Sequence, residues 1–109
     1  MNRLVLSAAL QERGKTRYTP AGLPALDLSL KHESTVSENG QPRQVFLEMR
    51  AVAIGDISAS IAALALGQPA CFGGFMSHAR NGRGLLFHIT SMDLLDPSAP
   101  APSTQAPSS

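Results

Sequence analysis

Phe46 is the residue whose surroundings least match its type. The other positions of its strand face are Gln44, Glu48 and Arg50. The ring is therefore either covered by a loop or a partner, or open as a platform on which a nucleic-acid base can stack. Base stacking on an aromatic ring is worth roughly 1–3 kcal/mol and suits any sequence, because every base has a π-face. Cations that could hold the phosphates fall in two groups. Arg13, Lys15 and Arg17, with Tyr18 beside them, lie in one polar stretch, and Arg80 and Arg83 flank Asn81-Gly82 in another. Other chemistry is sparse. His32, His78 and His88 have no Cys or carboxylate at metal-ligand spacing, so each reads as a hydrogen-bonded structural histidine, with His78 close enough to a loop to touch a phosphate. Asp56, Asp93 and Asp96 stand singly. Gly82 and Gly84 flank Arg83 in a hairpin and not at a helix start, so they do not form a phosphate-cradling P-loop. No nucleophile–base pair or metal cluster is recognisable, and the expectation is a non-catalytic protein without cofactor, metal or small-molecule substrate.

Strands must position these side chains. Residues 26–33 alternate, with Leu26, Leu28 and Leu30 on one face and Asp27, Ser29 and Lys31 on the other, the period of a half-buried strand. Residues 45–52 alternate as well: Val45, Leu47, Met49 and Ala51 against Phe46, Glu48 and Arg50. Residues 3–11, 70–78 and 85–95 complete a set of five strand-like segments. Residues 12–25 form a long connection with turn signals at Gly14 and Pro20-Ala21-Gly22. Residues 34–42 and 79–84 are hairpin connections carrying Asn-Gly. Between the third and fourth strands, Asp56 can cap a helix whose apolar positions are Ile57, Ile61 and Leu64, and Gly67 can end it. Three strands, a short helix and a two-strand hairpin are the plan of an all-β, five-stranded OB-fold barrel; a small open β-sandwich is the alternative. Gly73 and Gly74 within a strand suggest a barrel corner. In an OB barrel the two basic stretches flank the binding face. Arg17, Lys15, Arg80 and Arg83 would then line a positive channel, with Lys31 helping from the second strand.

Length and composition bound this reading. The chain has 109 residues, enough for one domain. Apolar residues are 43%, charged residues only 16% and the formal net charge is +1, so any electrostatic footprint is local. The lone Cys71 cannot form an internal disulfide, which favours a reducing compartment. The apolar part of the first ten residues is at the bottom of the range for a signal peptide, no cleavage context follows it, and it reads as a strand. The longest apolar stretch, 57–66, is far short of a membrane span. The expectation is a cytoplasmic protein. From Pro97 onward the chain is Pro, Ser, Ala, Thr and Gln only, which cannot bury enough surface to offset its ordering entropy. Residues 1–96 are thus the OB domain and 97–109 a disordered tail.

Several segments together resemble one family. Asn2-Arg3-Leu4-Val5-Leu6-Ser7, Pro20-Ala21-Gly22-Leu23-Pro24, Leu30-Lys31-His32, Arg43-Gln44 and Asn81-Gly82 are similar, in order and spacing, to the bacterial primosomal replication protein N (PriB) family over about residues 2–96. The resemblance implies a homodimer of OB folds, related to bacterial single-stranded DNA-binding proteins. It implies a role in replication restart, with single-stranded DNA, the PriA helicase and other primosome proteins as partners. Phe46 falls where the family often has tryptophan. Arg17 and Arg80 fall where it has basic residues, and Arg83 follows the Asn-Gly turn. Glu33 departs from a position where the family can be basic, and an acid there repels phosphate. A protein-interaction adaptor of the primosome with only weak DNA binding is the alternative, favoured by Glu33 and the low net charge. A general single-stranded DNA-binding protein would usually end in an acidic tip, which Ala106-Pro107-Ser108-Ser109 lacks.

Overall fold

Leucines alternating with short polar residues give β3 its inward face, and a two-residue turn decides how far it runs. The computed structural model describes residues 1–79 and 84–95. Its elements are β1 (Leu4–Arg13), β2 (Arg17–Tyr18), β3 (Pro24–Glu38), β4 (Gln41–Ile54), α1 (Asp56–Ala62), β5 (Pro69–His78) and β6 (Leu85–Leu94). At the turn, Asn39 and Gly40 have φ of 51° and 76°, the paired positive values of a tight hairpin turn. They close β3 and β4 into a ladder running from Ala25↔Ile54 to Glu38↔Gln41.

This ladder corrects the sequence reading, which ended the strands at 33 and 45 and left 34–42 as a loop. Ladder hydrogen bonds come from the backbone, so polar residues extend them once the turn keeps the strands in register. The outer part of the ribbon pairs with neither β1 nor β6, so it has no apolar face and shows no alternation.

The strands close in the order β1-β5-β6-β4-β3, with β1 returning to β3. Only β4 and β6 run parallel. This is the expected five-stranded barrel. The two-residue β2, paired to Ala25 and Pro24, was not expected, and it places the helix between the fourth and fifth strands in chain order instead of the third and fourth. Asp56 opens α1 but does not cap it. The N-cap is Gly55 at φ 91°, and the Ser58 hydroxyl donates to the Gly55 carbonyl at 2.7 Å. The helix stops at Ala62, and Gly67 belongs to a later turn that donates its N–H to the Leu10 carbonyl at 2.7 Å.

Inward positions build one core of Leu10, Leu26, Leu30, Phe72 and Phe87, and Ile61 of α1 with Leu64 just after the helix closes the barrel end. Fully burying each such side chain contributes about 1.5–3 kcal/mol. Because strand side chains alternate, every second residue of β3 and β4 then faces outward, which fixes the surface described next.

Candidate nucleic-acid interface

The ladder register pairs Asp27 with Val52, Ser29 with Arg50, Lys31 with Glu48 and Glu33 with Phe46. All eight alternate with the inward row, and all but the buried Val52 reach the surface. Phe46 is 59% exposed. Lys31 sits diagonally across the ladder from it and holds its Nζ 5.2 Å from the ring centroid, within the range of a cation–π contact. Glu33, directly opposite the ring, reaches Lys31 at 3.8 Å. A shallow depression lined by Glu33, Thr35, Gln44 and Phe46 lies beside this cluster. The ring is therefore uncovered by the described residues, and an ammonium and a carboxylate compete next to it.

Arg17 occupies the other end of the ribbon. β2 holds it opposite Ala25, eight β3 positions from Glu33 (roughly 25 Å at the usual strand rise). There it makes a two-point ion pair with Asp27: Nε donates to Oδ2 at 2.8 Å and Nη2 to Oδ1 at 3.1 Å. The Arg17 hydrogen bond holds the Asp27 carboxyl below the ordinary carboxylate value against a partial desolvation that pushes it up, and Arg50 adds a weaker downward pull. The guanidinium is correspondingly raised.

Of the residues singled out in the sequence, the fold brings Phe46 and Lys31 together and sets Arg17 apart, bound to an acid. Lys15 is exposed in the β1–β2 connection and makes no ion pair among the described residues. Arg13 donates to the Leu64 carbonyl and so braces the helix end. Arg80 and Arg83 lie outside the described residues. Removing these two from nine basic residues leaves seven, and removing Asp96 from eight acids also leaves seven, so the described part carries no net charge. The positive channel read from the loops is thus not continuous over the described surface. Instead, an aromatic ring, single cations and acids alternate along one sheet face.

The histidines are structural where their bonds are described. His32 donates Nδ1–H to the Ser7 carbonyl at 2.6 Å, and its Nε2 lies 2.8 Å from the Ser34 hydroxyl. His88 stacks on Phe75. Arg50 is the residue that the loop-based reading passed over. Its signal was present, since it alternates with Phe46 and Glu48, and no acid pairs with it among the described residues.

Comparison with known proteins fits this geometry. Residues 2–91 match a family described as another single-strand binding protein family. The replication restart protein PriB of Bordetella pertussis is 51% identical over 80 residues, which are 73% of this chain and 75% of that protein. The solved structure of PriB from Ralstonia solanacearum superposes with a TM-score of 0.78 at 34% identity, covering 86% of this chain and 97% of that one. The wild-type single-stranded DNA-binding protein of Thermus aquaticus superposes at 0.70 with 26% identity, over 90% of this chain and 52% of that one.

Proposed function

Since this chain belongs to the PriB family of replication restart proteins, within the single-strand binding proteins, we propose that it is a non-catalytic accessory factor that binds single-stranded DNA along the outward face of β3 and β4. The observation that carries the reading is the open Phe46 ring with the Lys31 ammonium beside it. A base stacks on the ring, and the ammonium serves the ring and the adjoining phosphate. Lys15 and Arg17 take phosphates at the far end of the ribbon, and Arg80 and Arg83 take them from the β5–β6 connection. The protein acts in the cytoplasm and helps assemble the primosome with the PriA helicase. The expected domain boundary at Asp96 and the Pro/Ser/Ala-rich residues 97–109 lie outside the described residues.

The protein works as a homodimer. The first half of β1 pairs with β5 alone, joining β3 only from Ala9 onward. That leaves a strand edge open, with Val5 exposed beside it, and unpaired edges invite pairing with another chain.

Anisotropy of a labelled oligo-dT titrated with protein at low and high salt tests the main claim. Phe46→Ala is expected to weaken binding about five- to 150-fold without unfolding the protein. Unchanged affinity would remove Phe46 from the site.

A second reading has its own support. Lys31, Arg17 and Arg43 each face an acid, namely Glu33, Asp27 and Glu38, which lowers the attraction for phosphate. On this reading the chain is a protein-interaction adaptor of the primosome with weak DNA affinity. A shallow dependence of log affinity on log salt, with retained binding to immobilised PriA helicase, distinguishes it.

A further inference from the structure

The outward face does not end at β4. Parallel pairing sets Val52 beside His88, and antiparallel pairing sets His88 beside Phe75. Paired residues share a face, so the outward row carrying Phe46 and Arg50 continues, through the buried Val52, across β6 onto β5. There the Phe75 and His88 rings stack with centroids 4.8 Å apart and planes 8° from parallel. Phe75 remains 40% exposed.

The backbone beneath is specialised for this arrangement. The β5–β6 register shifts at Gly73/Gly74. A Cβ at Gly74 would meet the His88 carbonyl oxygen at 1.8 Å, so only glycine lets the two strands approach here. Phe72 points into the core and Phe75 points out over His88. On the other side of Phe75 lies β1. Leu4 pairs with Gly74, and the Asn2 amide exchanges hydrogen bonds of 2.7 and 2.9 Å with the Met76 backbone. This register places Arg3 beside Phe75, exposed and without an ion pair among the described residues.

We infer that Phe75, backed by His88 and flanked by Arg3, is a second base-stacking subsite for single-stranded DNA. The inference rests on the DNA-binding reading above and extends it. An open aromatic face supplies the stacking surface, and Arg3 supplies the cation for the adjoining phosphate. Phe46 and Val52 are six residues apart on β4, so the two platforms lie about 20 Å apart along the strand, with Arg50, which has no ion pair among the described residues, between them. The acids along this path each have a partner: Glu33 has Lys31 at 3.8 Å, Asp27 has Arg17, and Glu48 has the Gln11 amide at 3.2 Å. A strand of several nucleotides therefore leaves the ribbon at Phe46, passes Arg50 and ends on β5.

The chain contains no tryptophan and one tyrosine, Tyr18, so Phe75→Trp and Phe46→Trp each install a sole tryptophan, excited selectively over the tyrosine, at one platform. Each variant is titrated with oligo-dT of about 30 nucleotides, longer than the roughly 4–16 that one OB fold occupies, with anisotropy followed in parallel. The expected result is quenching of both variants along one isotherm. Phe75→Leu, which keeps the apolar volume, is expected to keep its melting temperature while losing about five- to 150-fold in affinity. Binding that quenches Phe46→Trp but leaves Phe75→Trp unchanged would overturn the subsite and leave the DNA-binding reading standing. Absence of any binding by the wild-type chain would overturn both. A concentration-dependent emission shift of Phe75→Trp without DNA would assign this face to a second copy of the chain and overturn the subsite.

Discussion

Replacing Asp27 by asparagine should make the protein a better DNA binder at little cost in stability. Arg17 offers its guanidinium edge to Asp27 through two bonds of 2.8 and 3.1 Å. The two side chains remain 51% and 56% exposed. Exposed pairs contribute about 0.2–1 kcal/mol to folding, so Asp27→Asn should lower stability by no more than about 1 kcal/mol. The same energy is what a phosphate must overcome to recruit Arg17. Removing the carboxylate frees the cation and takes one negative charge off the binding face. At about 1.4 kcal/mol per tenfold, affinity should rise by up to about fivefold. One additional phosphate contact should steepen the slope of log affinity against log salt by about 0.7. Anisotropy titrations of oligo-dT between about 50 and 200 mM salt measure both quantities. The stability term has a predicted pH dependence. The Asp27 carboxyl is held below its ordinary value, so the pair's contribution is present above the ordinary carboxylate range and is lost as pH falls through the depressed value. The melting-temperature difference between wild type and variant should therefore close at acid pH. Identical affinity and identical slope for Asp27→Asn would refute the claim that Asp27 withholds Arg17 from DNA.

Three further outcomes follow from the same geometry. Phe46→Ala should leave the melting temperature within a degree or so of wild type, because surface changes away from special features usually stay within about 0.5 kcal/mol; a large drop in a thermal melt would mean the ring is covered. Gly74→Ala should destabilise by about 3 kcal/mol, the upper range for overpacking, since the new methyl meets the His88 carbonyl; a denaturant midpoint equal to wild type would contradict the register at that bulge. Arg80→Ala combined with Arg83→Ala should make the salt slope shallower by about 1.4, the value for two single-strand phosphates, and an unchanged slope would exclude both from the phosphate track.

The barrel was legible because its inward residues announce themselves. Leu26, Leu28 and Leu30, and Leu47, Met49 and Ala51, can be buried in only one register. Asn39-Gly40 marked the hairpin turn that the positive φ values require. The length of the hairpin was hidden, because residues 34–38 and 41–44 lie beyond the barrel and need no apolar face. The site was legible in part for a related reason. Phe46 stood out against polar neighbours on its own strand, and Lys31 was named only as a helping cation on the second strand. Their contact depends on a cross-strand diagonal that no single strand displays. The Arg17–Asp27 pair joins residues read separately as a loop cation and a strand-face acid, and only the two-residue β2 brings them together. Phe75 and His88 were invisible as a pair because the bulge at Gly73/Gly74 sets their register, and the sequence marks that position only as a barrel corner.

The central claim, that this sheet face holds a nucleic-acid strand through cations and a stacking ring, is tested most directly by one titration series. Oligo-dT affinity of the wild-type protein is measured by anisotropy as salt is raised. A straight fall of log affinity with log salt, at about 0.7 per phosphate held, is the predicted result. Weak binding at low salt with a slope near zero would contradict it.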